Sequence, residues 1–330
     1  MLGDVPVSVL DLALVRSGEP ASEALSHAVI VAREAERLGF RRYWVAEHHG
    51  SPAFASAAPP VLVAWLAAGT RSIRVGSGGV MLPNHSPFIV AEQFGSIGAL
   101  AGDRVDLGIG KGTGAADAAV ASLLRRGAEP ASDEEYATGV GQLLEYFTPG
   151  GSGGVGAPLP EGYPPQVWLL GSGEPSATLA AELGLPMAVA NHIRPGATES
   201  ALEVYRRRFK PSRWLDRPHV MVSVTVICAE TGERAEELAR PYEVLIAQAL
   251  TGQKYPLSTT GQAAQYAFTP RERQVIATLS EGGVRGDAGR VCRGLAALVE
   301  RFAPDELIAV VPVYEIADRL RALEAIAGKD

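Results

Sequence analysis

Eight stretches of the chain are almost continuously apolar and short enough to be strands: residues 5–13, 42–47, 73–82, 104–110, 166–171, 187–191, 220–229 and 306–313. Most do not alternate apolar with polar residues, which is the pattern of parallel strands covered on both faces. Between them lie segments with apolar residues at helical spacing. The first, residues 23–38, places Leu25, Ala28, Val29, Ala32 and Ala35 on one face, with Ser22 as its cap and Gly39 as its stop. Strand followed by helix, repeated eight times, predicts an α/β fold: a parallel sheet closed into a (β/α)8 TIM barrel, with residues 1–330 as one domain.

Two stretches break the repeat. Residues 148–165 are dense in Gly and Pro and predict an irregular surface loop. Residues 251–289 are polar and interrupted by Pro256, Pro270 and the pair Gly282 and Gly283. An insertion of this length before the last strand is expected to be either a lid or a disordered excursion.

Bulk composition narrows the function classes. Hydrophobic residues make up 47% of the chain and mean hydropathy is +0.09, enough for a large core. A net charge of −7 offers no basic face to nucleic acid, and Arg206, Arg207 and Arg208 read as a solvated cluster at a helix end. Cys228 and Cys292 lack metal spacing and form no disulfide framework, so both are expected to be apolar fillers in a reducing compartment. Neither a signal peptide nor a membrane-spanning run is present in the sequence. The expectation is a cytoplasmic protein.

Three glycine-rich segments follow strands: 76–79, 108–112 and 171–176. None is a dinucleotide fingerprint, because the third glycine falls at Met81, Thr113 or Ser176. A P-loop fails as well, since Lys111 precedes Gly112 rather than Ser or Thr. The third segment still opens a helix. Its backbone N–H groups from Gly173 to Ser176, with the hydroxyls of Ser172 and Ser176, make an anion site at a positive helix end. Lys111 at the neighbouring strand end can add charge. Ordinary helix capping is the competing reading of that segment.

The stretch 43–49 runs an apolar strand into Glu47, His48 and His49. Neighbouring strand residues point to opposite faces, so these three alone make a poor metal site. His85 and His192 end other strand units, and with His48 they form a conceivable zinc triad. No helical His-x-x-x-His pair supports metal, and none is assigned. A strand-end general acid or base is the better role for His48, with a structural hydrogen-bonded histidine as its rival.

Residues 43–49, 75–87 and 104–110, together with 168–172 and 180–186, resemble the bacterial-luciferase-like flavin monooxygenases. The likeness runs in the family's order over nearly the whole chain. It is densest before Gly114 and faint over 251–289. That resemblance implies a barrel binding reduced FMN, or in some branches a deazaflavin, at the carboxyl ends of its strands. His48 matches the family's catalytic histidine. Gly78 and Gly79 match a non-prolyl cis peptide against the flavin ring, a geometry glycine tolerates best. Lys111, Gly173 and Ser176 match positions that hold the FMN phosphate, with Ser172 adjacent. Asn191 and His192 match the polar pair after the sixth strand.

The implied activity is oxygenation of a small organic substrate by reduced FMN and O2 through a flavin hydroperoxide. A separate NAD(P)H-dependent flavin reductase and a homodimer are the implied partners. The chain departs from the pattern at three places: Lys111 stands for a luciferase arginine, Gly110 for a reactive cysteine, and Gly173 and Pro175 for Ser and an aromatic residue. The changes at Lys111, Gly173 and Pro175 imply a weaker phosphate grip, as suits a diffusing flavin. Two rivals remain at this point: deazaflavin-dependent hydride transfer, and a non-catalytic flavin-binding protein.

Overall fold

A computed structural model describes residues 5–151 and 157–328. Among them are nine strands: β1 (Val7–Asp11), β2 (Arg42–Val45), β3 (Arg74–Met81), β4 (Val105–Gly110), β5 (Gln166–Gly171), β6 (Met187–Val189), β7 (Val220–Cys228), β8 (Gly283–Gly286) and β9 (Glu306–Val310). All pairings are parallel. Strands β1 to β7 pair in sequence, β7 pairs with β9, and β9 returns to β1, so eight strands close a TIM barrel.

The expected strand count needs one correction. β8 lies outside the ring and pairs only with the second half of β7, from Thr225↔Gly283 to Cys228↔Gly286. It belongs to the 251–289 insertion, which also carries helices Thr260–Ala264 and Pro270–Ser280, each opened by a capping box. Of the 148–165 stretch, residues 152–156 lie outside the described residues, and Pro158–Gly162 forms a short helix.

Helix Ala21–Leu38 buries Ala28, Val29, Ala32 and Ala35 as the spacing predicts. Gly39 ends it in the left-handed conformation at φ +86. Ser22 does not cap it. Pro20 holds the extended entry, and the helix begins at Ala21, one residue before the predicted cap.

Inside the ring, Leu10, Leu12, Trp44, Ala46, Trp168, Ala188, Met221, Ile308 and Val310 pack as one apolar cluster. The floor beneath it is ionic. Arg42, fully buried, donates to Asp106 at 2.8 Å, Gln166 at 2.9 Å and Glu306 at 3.1 Å. Asp106 also accepts from the Trp44 indole at 2.9 Å. These groups sit at strand starts, so the closed end of the barrel is polar and tightly bonded. The carboxyl ends, all on the opposite rim, are free to hold a site.

Candidate active site

Strand β2 ends at Val45, and the next three residues build the first part of the site. Glu47, buried, accepts from the Nε2 atoms of both His49 and His85 at 2.9 Å, and from the Met81 amide at 3.1 Å. Burial pushes the Glu47 carboxyl up, but the hydrogen bonds from His85, His49 and Met81 outweigh it and hold the acid below its usual range. Glu47 thus ties the end of β2 to the end of β3. Its histidine partners are anchors, and His85 does not join His48.

His48 faces the other way. Its ring stacks on Phe54 with centroids 4.1 Å apart and planes 18° apart, and its Nδ1 lies 3.5 Å from the Ser56 hydroxyl. His192, beyond β6, has its Nδ1 2.5 Å from the Ser223 hydroxyl on β7. Burial lowers the pKa of each imidazole to about 4; Glu47 partly offsets it at His48, His49 adds to it there, and the field of His48 adds to it at His192. Both are therefore neutral at pH 7.

That neutrality makes a testable pH dependence. An unfolded histidine takes up its proton near pH 6.5, whereas these two take it only near 4. Between those values the unfolded chain binds more protons, so stability falls as pH falls from about 6.5 to about 4. Urea midpoints measured across that range should drop. They should drop less in a His48→Asn/His192→Asn variant, which keeps the contribution of His219, a buried ring shifted the same way. A midpoint unchanged from pH 6.5 to 5 would refute the buried neutral pair.

Strands β3 and β4 bring glycines to the rim. The Gly78–Gly79 peptide bond is cis. A Cβ on Gly79 would lie 2.7 Å from the Gly108 carbonyl oxygen, so the two backbones approach as only glycine allows. Lys111 follows β4, and its ammonium pairs with Asp133 at 2.7 Å on the surface.

Strand β5 delivers the third part. Helix Glu174–Leu183 follows Gly173 without any side-chain cap, which leaves the Glu174 and Ser176 amides open; Pro175 has none to offer. Neither the Ser172 nor the Ser176 hydroxyl has a hydrogen-bond partner among the described residues. Gly171 must be glycine for this arrangement, because a Cβ there would meet the Ser176 Oγ at 2.1 Å. A residue missed by sequence reasoning also sits here: the Arg194 guanidinium lies 3.6 Å from the position of a Cβ on Gly173, with no ion pair or hydrogen bond of its own among the described residues. Nothing in the local pattern at 191–197 signals that approach, which depends on the chain folding back beside β5.

These parts border one open cavity at the carboxyl rim. Glu47, His48, Gly78, Lys111, Ser172, Ser176 and His192 line it over a floor of Leu10, Trp44 and Ile308. Gly79 and Gly173, also expected at the site, are not among its lining residues. Asn191 stands apart: its amide donates to the Gly282 carbonyl at 3.2 Å and accepts from Thr198 at 2.9 Å, so it braces the insertion against the end of β6.

The family model for luciferase-like monooxygenases matches residues 5–329. The chain belongs to the luciferase-like monooxygenase family. A luciferase-like monooxygenase of Escherichia coli (strain K12) is 36% identical over 322 residues, covering 97% of this chain and 95% of that protein. The crystal structure of apo-MsnO8 superposes with a TM-score of 0.89 at 35% identity, covering 98% of both chains. More distant barrels share the fold alone. They include an FMN complex of the oxygenating constituent of 3,6-diketocamphane monooxygenase from Pseudomonas putida (TM-score 0.70, 17% identity, 98% and 96% covered). A coenzyme F420 dependent tetrahydromethanopterin reductase from Methanopyrus kandleri is another (TM-score 0.65, 14% identity, 99% and 98% covered). As a luciferase-like family member the protein is an oxidoreductase, and no helix among its described residues is long and apolar enough to cross a membrane.

Proposed function

We propose that this protein uses reduced FMN and O2 to oxygenate a small organic substrate. The observation that carries the reading is the single rim cavity in which His48, Gly78 and an uncapped helix end with free hydroxyls meet. The residues fit a flavin phosphate. The Glu174 and Ser176 amides, the Ser172 and Ser176 hydroxyls and the Arg194 guanidinium converge on the start of one helix. Arg194 supplies the planar fork missing at Lys111, whose charge Asp133 already offsets.

When bound, reduced FMN supplies the electrons that activate oxygen. The chain does the rest. Trp44 and Leu10 floor the cavity with apolar surface, while neutral His48 can accept a proton from, or return one to, a reacting oxygen. Helix Pro270–Ser280 and β8 stand over the rim beside His48, which supports a covering role for the insertion.

Two partners complete the reading. An NAD(P)H-dependent reductase supplies the reduced flavin. A second copy covers Val61, Trp65, Ile89 and Leu100, large apolar residues 47–84% exposed on the helices that follow β2 and β3.

Anaerobic titration with reduced FMN, followed by an air pulse, tests the proposal. Saturable binding and oxygen uptake coupled to substrate oxidation are expected. Arg194→Ala should weaken FMN about tenfold or more, the worth of a charged hydrogen bond, and leave riboflavin affinity unchanged. Equal turnover with and without O2 would instead assign a deazaflavin-type hydride transfer. Absence of flavin binding would end both.

A further inference from the structure

Beside the cofactor cavity lies a second, smaller chamber, and the two share Leu12, His48, His192 and Ile193 in a common wall. The remaining walls come from Phe54, the end of β7, helix Gly232–Leu250, helix Pro270–Ser280 and β8. Apolar side chains dominate: Phe54, Ile227, Ile246, Ile276, Leu279 and Val284. Two features set its polarity. The Tyr242 hydroxyl lines the chamber with no hydrogen-bond partner among the described residues. Arg285, the only arginine or lysine in the lining, is held by two carboxylates, Glu243 at 2.8 Å and Glu236 at 3.0 Å. The cluster carries one more negative than positive charge.

We propose that this second chamber is the substrate site, and that it selects uncharged, largely apolar molecules bearing one oxygen function and rejects anions. This rests on the flavin reading of the adjoining cavity, because His48 and His192 in the shared wall are what the two ligands would have in common. An apolar chain gains from burial along Ile246, Ile276 and Leu279. Its oxygen takes the open hydrogen bond of Tyr242. A carboxylate would lose its hydration and meet no free cation, since Arg285 is already ion-paired on both sides. Selectivity here is built from a withheld positive charge as much as from an attractive surface.

Calorimetric binding of 1-octanol and of octanoate to the full chain at pH 7.5, with and without FMN, tests this. Octanol should bind at least tenfold tighter than octanoate. Ile276→Trp, which fills the chamber, should abolish octanol binding and leave FMN affinity unchanged. Tyr242→Phe, a one-atom change that keeps the packing, should weaken octanol about threefold or more. Glu236→Gln/Glu243→Gln frees Arg285 and should shift the preference toward octanoate by tenfold or more. Octanoate binding as tightly as octanol in the unmodified protein, or octanol binding indifferent to both chamber variants, would overturn the proposal. Failure of FMN to bind while octanol behaves as described would sink the flavin reading and leave the chamber's selectivity standing.

Discussion

His48→Asn is expected to cut substrate oxygenation by roughly 10²–10⁴-fold, the usual worth of a placed acid or base, with FMN affinity changed less than threefold. The split follows from geometry. The proposed phosphate end lies after β5, where Arg194 approaches Gly173, whereas His48 lies in the wall shared by the two chambers. Its imidazole stacks on Phe54 and is neutral at pH 7, so it is free to accept a proton, and its lowered pKa makes it give that proton back readily. Asparagine keeps a polar group of similar reach but cannot titrate. A merely structural histidine would instead lose flavin binding and turnover together. Two titrations and a turnover assay separate the cases. Unchanged turnover in a variant that binds FMN normally would remove His48 from the chemistry.

The barrel was legible because its strands are buried on both faces, which leaves uninterrupted apolar runs that no helix-periodic pattern imitates. β8 was not. Gly283–Gly286 is four residues long, glycine at both ends, with Arg285 in the middle, so neither its length nor its polarity announces a strand. Its partner is half a strand, β7 beyond Thr225, that sequence assigns to the ring. The candidate site was legible where local chemistry sufficed: a histidine after a strand and a glycine-rich turn before a helix line one cavity. It failed where distant segments meet. Asn191 reads as a polar rim residue, yet its amide is engaged by Gly282, 91 positions away. Lys111 reads as a phosphate ligand, yet Asp133 pairs with it. Arg194 gives no signal until the chain folds back beside Gly173.

Arg42→Met should destabilise the fold by about 3–5 kcal/mol, the cost of stranding buried charges, although Arg42 does not line the rim cavity. Asp106 and Glu306 are fully buried and both lean on this guanidinium. Asp106 keeps Arg74 at 2.6 Å, but Glu306 is left with Ser8 and the half-exposed Arg41 at 3.5 Å. Burial already raises the Glu306 carboxyl above its ordinary range, with Arg42 as the main restraint. Without Arg42 it rises further, and a carboxyl whose folded pKa lies above its unfolded one contributes stability at low pH that is lost as pH rises through the folded value. The deficit of the variant should therefore be larger at pH 8 than at pH 5. Glu306→Gln in the same chain should recover part of it, since one stranded charge is gone. The effect reaches the site through Trp44, which lines the cavity and donates its indole N–H to Asp106 from the ionic floor below. Urea unfolding of the single and double variants at the two pH values decides the matter. A loss below 1 kcal/mol, or one independent of pH, would mean that water or a neighbouring group replaces the guanidinium and that the floor is not held by its charge.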